Sequence, residues 1–221
     1  MNLYFGDILP FMGEMLTALG MSFGITVASF LIGGVFSVAV YAAKASPVRA
    51  LSAVASGYIG LFRNTPLLVQ IYLIYFGLPV FGINLDVLQA SLIALSLNNA
   101  AYCAEIIRGG FSSVSKGLVE AGEALGLDAW TIFTRVSLIP ALRAVYPSLV
   151  NQFVHLFLTS SIASIIGLPE LMHAILEINS QTYRSIEVLA IGALLYFASG
   201  FLISFVARVA ERFLFRWAVS V

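Results

Sequence analysis

The stretch KGLVEAGEALGLDAWTIFTRVSLIP, from Lys116 to Pro140, is the longest break in an otherwise apolar chain, and the reading of the fold turns on it. Within it, Glu120, Ala121, Gly122, Glu123, Ala124, Leu125 and Gly126 are expected to form a short helix, because Ala121, Ala124 and Leu125 recur at helical spacing. Gly126 supplies a left-handed stop. Asp128 then caps a second amphipathic helix in which Trp130, Phe133 and Val136 share a side, until Pro140 disfavours continuation without a break or kink. Two short helices joined at a glycine corner and facing water make a surface on which another protein docks.

The surroundings are helices that hold this corner in place. Of 221 residues, 60% are apolar and 10% charged, against roughly a quarter charged in soluble domains. The chain therefore reads as an all-α integral membrane protein. At about 20 residues per crossing, five transmembrane helices use on the order of 100 residues and leave room for the corner. A formal charge of zero and the lack of a basic run give no footprint for nucleic acid. Cys103 is the single cysteine, which excludes an intrachain disulfide. With only His155 and His173 beside it, no metal site is expected. The first twenty residues carry no Lys or Arg, so the first apolar run is expected to stay in the mature protein.

The spans are expected at residues 15–43, 58–82, 85–107, 142–167 and 186–206, with residues 108–141 forming the exposed segment between the third and fourth, all within one transmembrane domain over 1–221. In the first span, Gly20, Gly24 and Ala28 form small-xxx-small pairs that admit a close neighbour. The second has a polar entry at Arg63, Asn64, Thr65 and Pro66. Basic residues set the orientation. An outside N-terminus puts Lys44, Arg49, Arg63, Arg108, Lys116, Arg135, Arg143, Arg208, Arg212 and Arg216 on the cytoplasmic side and leaves only Arg184 outside. The corner then faces the cytosol, and the loop with Pro169, Glu170, Glu177 and Arg184 faces outward.

Chemistry-bearing motifs are few. Nothing matches the phosphate-cradling G-x-x-x-x-G-K-[ST] pattern, a nucleophile elbow or H-E-x-x-H, so catalysis by this chain is not expected, and uphill movement of a solute takes its energy from a partner or an ion. The fourth span holds Asn151, Gln152, His155, Thr159, Ser160 and Ser161. Asn151 and His155, four apart, share a face that either lines a pathway or bonds to neighbouring helices. Thr159, Ser160 and Ser161 either touch substrate or satisfy backbone carbonyls. Tyr102 on the third span is a further pathway candidate, and Glu105 is expected to pair with Arg108.

These residues resemble the integral-membrane permease subunits of bacterial ABC importers, in the polar amino acid branch of histidine-, glutamine- and glutamate-type permeases. The corner is similar to the family motif in which Glu-Ala-Ala is followed by Gly four residues on, matched by Glu120, Ala121, Gly122 and Gly126. LFRNTPLLVQIYLIYFGLP (Leu61 to Pro79), AAYCAEIIRGGFSSVSKG (Ala100 to Gly117), and NQF (Asn151 to Phe153) followed by SSIASIIGLPEL (Ser160 to Leu171) carry the likeness over about half of the chain.

The resemblance implies a type I ABC importer permease fold of five spans in the bacterial cytoplasmic membrane, with the corner as a coupling helix seated on a cytosolic ATPase dimer. It implies a second permease subunit, identical or homologous, an extracytoplasmic solute-binding protein that delivers a polar amino acid, and contact with membrane lipid. No cofactor is expected in this chain; ATP and magnesium belong to the partner ATPase. Two departures stand out. Gly122 replaces the usual Ala, and Pro140 falls one position late. Further, Leu158, Thr159, Ser160 and Ser161 stand where Lys-Asp-Thr-Ser is common, which implies either a partner permease that bears the charges or a substrate recognised by hydrogen bonds. The rival readings are an ion-coupled small-solute carrier and a non-transporting assembly subunit.

Overall fold

The computed structural model describes residues 3–215, and within them the chain is helical. Two short 3₁₀ turns, Phe5–Asp7 and Leu9–Phe11, lead into α1, Met12–Lys44. There follow α2 (Arg49–Asn64), α3 (Leu67–Tyr72), α4 (Val87–Ser112), α5 (Lys116–Ala124), α6 (Ala129–Thr131), α7 (Leu138–Thr159), α8 (Leu171–Thr182) and α9 (Ser185–Leu214). Four helical runs are long and apolar enough to cross a membrane: Phe5–Lys44, Val87–Ser112, Ala129–Ile166 and Ser185–Leu214. The fifth candidate is a bent pair, Arg49–Asn64 with Leu67–Phe81, whose halves meet at 108°. Arg216, counted above among the cytoplasmic cations, lies outside the described residues.

That bend falls within the span expected over 58–82, at its Pro-marked entry. Pro66 forces its predecessor out of the α region, and Thr65 is extended at φ −114°, ψ 144°. Downstream, α3 loosens into a π turn at Leu73–Gly77 and a 3₁₀ turn at Leu78–Phe81, ending on left-handed Gly82. Asp86 then starts α4 with a reciprocal cap: its carboxylate accepts from Gln89 N at 2.7 Å, and Gln89 Oε1 accepts from Asp86 N at 3.1 Å.

The break expected at Pro140 does not occur. The chain passes from α6 into π turns over Ile132–Ser137 and straight on into α7, and this wider winding absorbs a proline that has no N–H for the carbonyl four residues before it. The fourth crossing therefore grows directly out of the corner. A further correction concerns the segment after Gly167, expected as a loop: it holds α8, whose Leu171, Ala174, Ile175 and Ile178 are buried.

The central helix is α4. In its membrane-length window 61% is buried, against 22% in α9. Its Ala90, Ala94, Ala100, Ala101 and Ala104 are all enclosed, and these small side chains let α1 and α7 come close. Contact between α1 and α4 is tightest at Gly33, where a Cβ would stand 2.6 Å from Ser96 O. Gly20 and Gly24, expected as close-packing positions, have nothing within 4 Å of such an atom. One apolar cluster joins Ile25, Ile71, Ala94, Leu95, Leu156, Ala163 and Leu168 across α1, α3, α4, α7 and the segment that follows α7. Another, at the α8 end, joins Ile8, Met15, Leu171, Ile175, Ile178 and Val188.

Candidate functional site

The corner is built from its backbone outward. α5 ends at Ala124, Gly126 takes φ 72°, and Leu127 N donates to Gly122 O at 3.1 Å, closing the turn. Asp128 opens α6 by accepting from Thr131 N at 3.0 Å and Thr131 Oγ1 at 2.7 Å. These bonds hold its carboxyl below the usual range. Gly122 is buried, and a Cβ there would lie 3.2 Å from Ile132 Cγ1, so its lack of a side chain serves the internal corner. Glu120, Ala121, Glu123 and Ala124 are exposed, with Leu125 79% and Trp130 72% open. Among the described residues no cation lies within ion-pair distance of Glu120.

Aromatic stacking ties this corner to the helical body, and the sequence reading missed it. Tyr41 of α1 stacks on Phe111 of α4 at 5.5 Å between ring centroids, Phe111 on Phe133 at 5.8 Å, and Trp130 lies tilted 6.0 Å from Phe133. Ring periodicity could not reveal this, because the partners sit on four elements.

Of the pathway candidates, Tyr102 and His155 come together, with ring centroids 6.1 Å apart, and Asn151 is exposed one turn below His155 on α7. Arg63 extends the group, its guanidinium 5.4 Å from the Tyr102 centroid. The remaining three hydroxyls bond locally. Thr159 donates to His155 O at 2.8 Å, Ser160 to Phe157 O at 2.8 Å and Ser161 to Leu158 O at 2.7 Å. Ser160 is fully enclosed, which takes it off any accessible face. Gln152 turns inward and donates to Asn99 Oδ1 at 3.1 Å, acting as a tie between α7 and α4.

Glu105 pairs with Arg108 at 3.0 Å as expected, and also with Lys44 and, at 3.7 Å, with Arg63. At the opposite end Glu170 is sealed from solvent between α1, α8 and α9. It accepts from Ser22 Oγ at 3.1 Å, Tyr196 OH at 2.9 Å and His173 N at 2.9 Å. Nearby, Arg184 pairs with Asp7 at 3.0 Å. Among the described residues no group of His, Cys, Asp and Glu is placed to hold a metal.

A body of long apolar helices with an exposed helical corner is the shape to compare with known proteins. Residues 35–216 match the family described as the inner membrane component of binding-protein-dependent transport systems. The chain belongs to this family. The permease is 34% identical over 213 residues to the arginine transport system permease protein ArtQ of Bacillus subtilis, covering 96% of this chain and 97% of that one. It is 39% identical over 197 residues to the L-cystine transport system permease protein TcyB of the same organism, covering 89% and 84%. Among solved structures, an amino acid ABC transporter crystallised with histidines matches at a TM-score of 0.91 and 34% identity, covering 96% of this chain and 99% of that one. The permease is thus a multi-pass inner-membrane subunit of an ABC importer. Its fold is the one the sequence resemblance implies.

Proposed function

We propose that this permease carries a polar amino acid inward, as one of two permease subunits that enclose the pathway above a pair of cytosolic ATPase subunits. Its amino-acid-transporting relatives support the substrate class. The observation that carries the coupling is the exposed corner between α5 and α6, where Leu125 and Trp130 stand out from the body and Gly122 packs within. The five spans are α1, the bent α2–α3 pair, α4, the run 129–166 and α9, with the N-terminus outside. The corner then lies in the cytosol on the side of Lys44 at the end of α1 and Arg108 near the end of α4, the side that positive charge favours.

ATP and magnesium act in the partner ATPase, and this chain contributes no catalytic group. Closure of the ATPase pair draws two such corners together. The packed rings Trp130, Phe133, Phe111 and Tyr41 carry that displacement into α4 and α1 as a rigid movement. The pathway face of this subunit is Arg63, Tyr102, Asn151 and His155; Thr159, Ser160 and Ser161 shape the end of α7 and do not touch substrate. Because Leu158 to Ser161 offer no carboxylate, the substrate ammonium is met by the second permease or by hydrogen bonds.

The test is uptake into proteoliposomes containing the permease, its ATPase and its binding protein. Deleting Glu120 through Gly126 abolishes ATP-driven uptake and leaves the ATPase in the soluble fraction. Persistent uptake without ATP would instead identify an ion-coupled carrier. Cys103 is buried, so a cysteine placed at Leu125 reports sidedness against a quiet background. Labelling of that cysteine by an impermeant maleimide from outside overturns the orientation.

A further inference from the structure

Four charged side chains from three helix ends meet at Glu105, and their charges do not cancel. Lys44 from the end of α1 holds Oε1, while Arg63 from the end of α2 and Arg108 from α4 both converge on Oε2, at 3.7 and 3.0 Å. One carboxylate thus faces three cations. The two guanidinium side chains are 42% and 49% exposed, whereas Glu105 is 15% exposed and already occupied. What they are exposed to is a cavity of about 460 Å³, lined by Arg63, Tyr102, Glu105, Arg108, Ser113 and Ser148 among others.

Among the described residues no second carboxylate lines that cavity. Two guanidinium groups drawn to one oxygen repel each other, and apolar helices on either side reduce the screening that water would give. An added anion removes that repulsion and meets charge-assisted donors already held in place. Arg63 is further fixed by lying against the Tyr102 ring. The floor is open as well, since a Cβ at Gly109 would meet nothing within 4 Å.

The geometry points to an oxyanion site in this cavity: Arg63 and Arg108 take one carboxylate or phosphate group, with Glu105 holding the two guanidinium groups in position. The group has two sources, a free small anion such as an amino acid carboxylate, or the phosphate of an anionic lipid. The site does not depend on the coupling role of the corner.

The experiment uses the full chain in phosphatidylcholine nanodiscs, titrated calorimetrically with acetate, inorganic phosphate and L-glutamine, and with L-glutamine α-amide as a probe lacking the carboxylate. Saturable binding at one site per chain is expected for the anions and for L-glutamine, and binding at least about tenfold weaker for the amide. Arg63→Gln and Arg108→Gln each weaken binding about tenfold or more, while Arg49→Gln, outside the cavity, leaves it unchanged. Glu105→Gln removes the competing negative charge while its amide oxygen still holds the guanidinium groups in position, so binding tightens, a change of sign that loss of structure does not produce. Repeating the titration in discs containing phosphatidylglycerol separates the sources: unchanged affinity identifies a free anion, and displacement identifies the lipid phosphate. Absence of saturable binding, or equal affinity in the wild type and Arg63→Gln, overturns the proposal.

Discussion

Asn98 Nδ2 on α4 donates to Gln70 Oε1 on α3 at 3.0 Å, which fastens the broken span to the central helix at the point where it breaks. Gln70 Nε2 faces the other way, toward Phe62 O at 3.0 Å, Thr65 O at 3.1 Å and Thr65 Oγ1 at 2.8 Å. Those carbonyls lost their helical partners when Pro66 ended α2, and the break sits level with Asn98, near the middle of α4. In hydrocarbon, freed carbonyls have no water to turn to, so the side chain replaces the missing helix turn. Gln70→Leu is expected to cost about 2–3 kcal/mol. Gln70→Glu should be at least as harmful, because a carboxylate cannot donate. Thermal unfolding of the detergent-purified chain measures both, and a tolerated Gln70→Glu would show that donation to the break is unimportant.

Between α1 and α4, close contact at Gly33 is made backbone to backbone. At Gly33 an added methyl would stand 2.6 Å from Ser96 O, and backbone cannot move aside as a flexible side chain does. Gly33→Ala should therefore destabilise the chain by about 1–3 kcal/mol. Gly20→Ala and Gly24→Ala, with open space around them, should leave the unfolding midpoint unchanged. Equal tolerance at all three positions would contradict the α1–α4 packing.

The long crossings are legible because lipid demands an unbroken apolar run, and α1, α4 and α9 answer with runs that no other local structure explains. The break at Thr65 is legible as RNTP, but its 108° angle is set by Gln70 and Asn98, which come from different elements. Helix α8 could have been read: Leu171, Ala174, Ile175 and Ile178 recur at helical spacing, but Pro169 and an acidic start suggest a loop. Pro140 misleads for the opposite reason, since a π turn can absorb a proline that an ideal helix would not. The corner is legible as a surface, yet the inward role of Gly122 depends on Ile132, ten positions on. The Glu170 contacts were beyond reach, with Ser22 separated from it by 148 positions.

Glu170 gives the fold a dependence on pH. It lies between the run ending at Ile166 and α8, and burial pushes its carboxyl above the ordinary range, with the bonds from Tyr196, His173 N and Ser22 pulling only part of the way back. A folded state that holds this proton more tightly than the unfolded chain is favoured most below the ordinary carboxyl value, about 4.3. That contribution is lost as pH rises through the raised value. Glu170→Gln should flatten this part of the curve of unfolding midpoint against pH, whereas Glu170→Ala should destabilise by about 1–3 kcal/mol by leaving its donors unpaired. An unchanged slope in Glu170→Gln would assign the pH dependence elsewhere.

Leu125 and Gly122 occupy the same turn of the corner and should fail differently. Leu125 is 79% exposed, so Leu125→Asp leaves the chain folded while placing a charge where the ATPase is proposed to seat. Co-purification of the ATPase should fall at least about tenfold, as for a buried interface anchor, with no shift in unfolding. Gly122→Leu forces Ile132 out of the turn and should lower stability as well as docking. Retained co-purification with Leu125→Asp would move the seat away from this surface.

Phe111 tests whether the corner drives the body rather than only holding the ATPase. Its ring lies between Tyr41 and Phe133, so truncation opens a gap in the stack while leaving the exposed corner intact. In the proteoliposome assay, Phe111→Ala should keep the ATPase bound but reduce substrate moved per ATP hydrolysed. Phe111→Leu fills more of the volume without the flat ring and should recover part of the coupling. The half-buried ring costs about 1–3 kcal/mol when removed, below the 3–5 of a fully enclosed phenylalanine, so the variant remains folded enough to assay. Loss of transport and ATP hydrolysis in equal proportion would mean that Phe111 supports folding or docking alone, and the path from corner to α1 would have to run through other contacts.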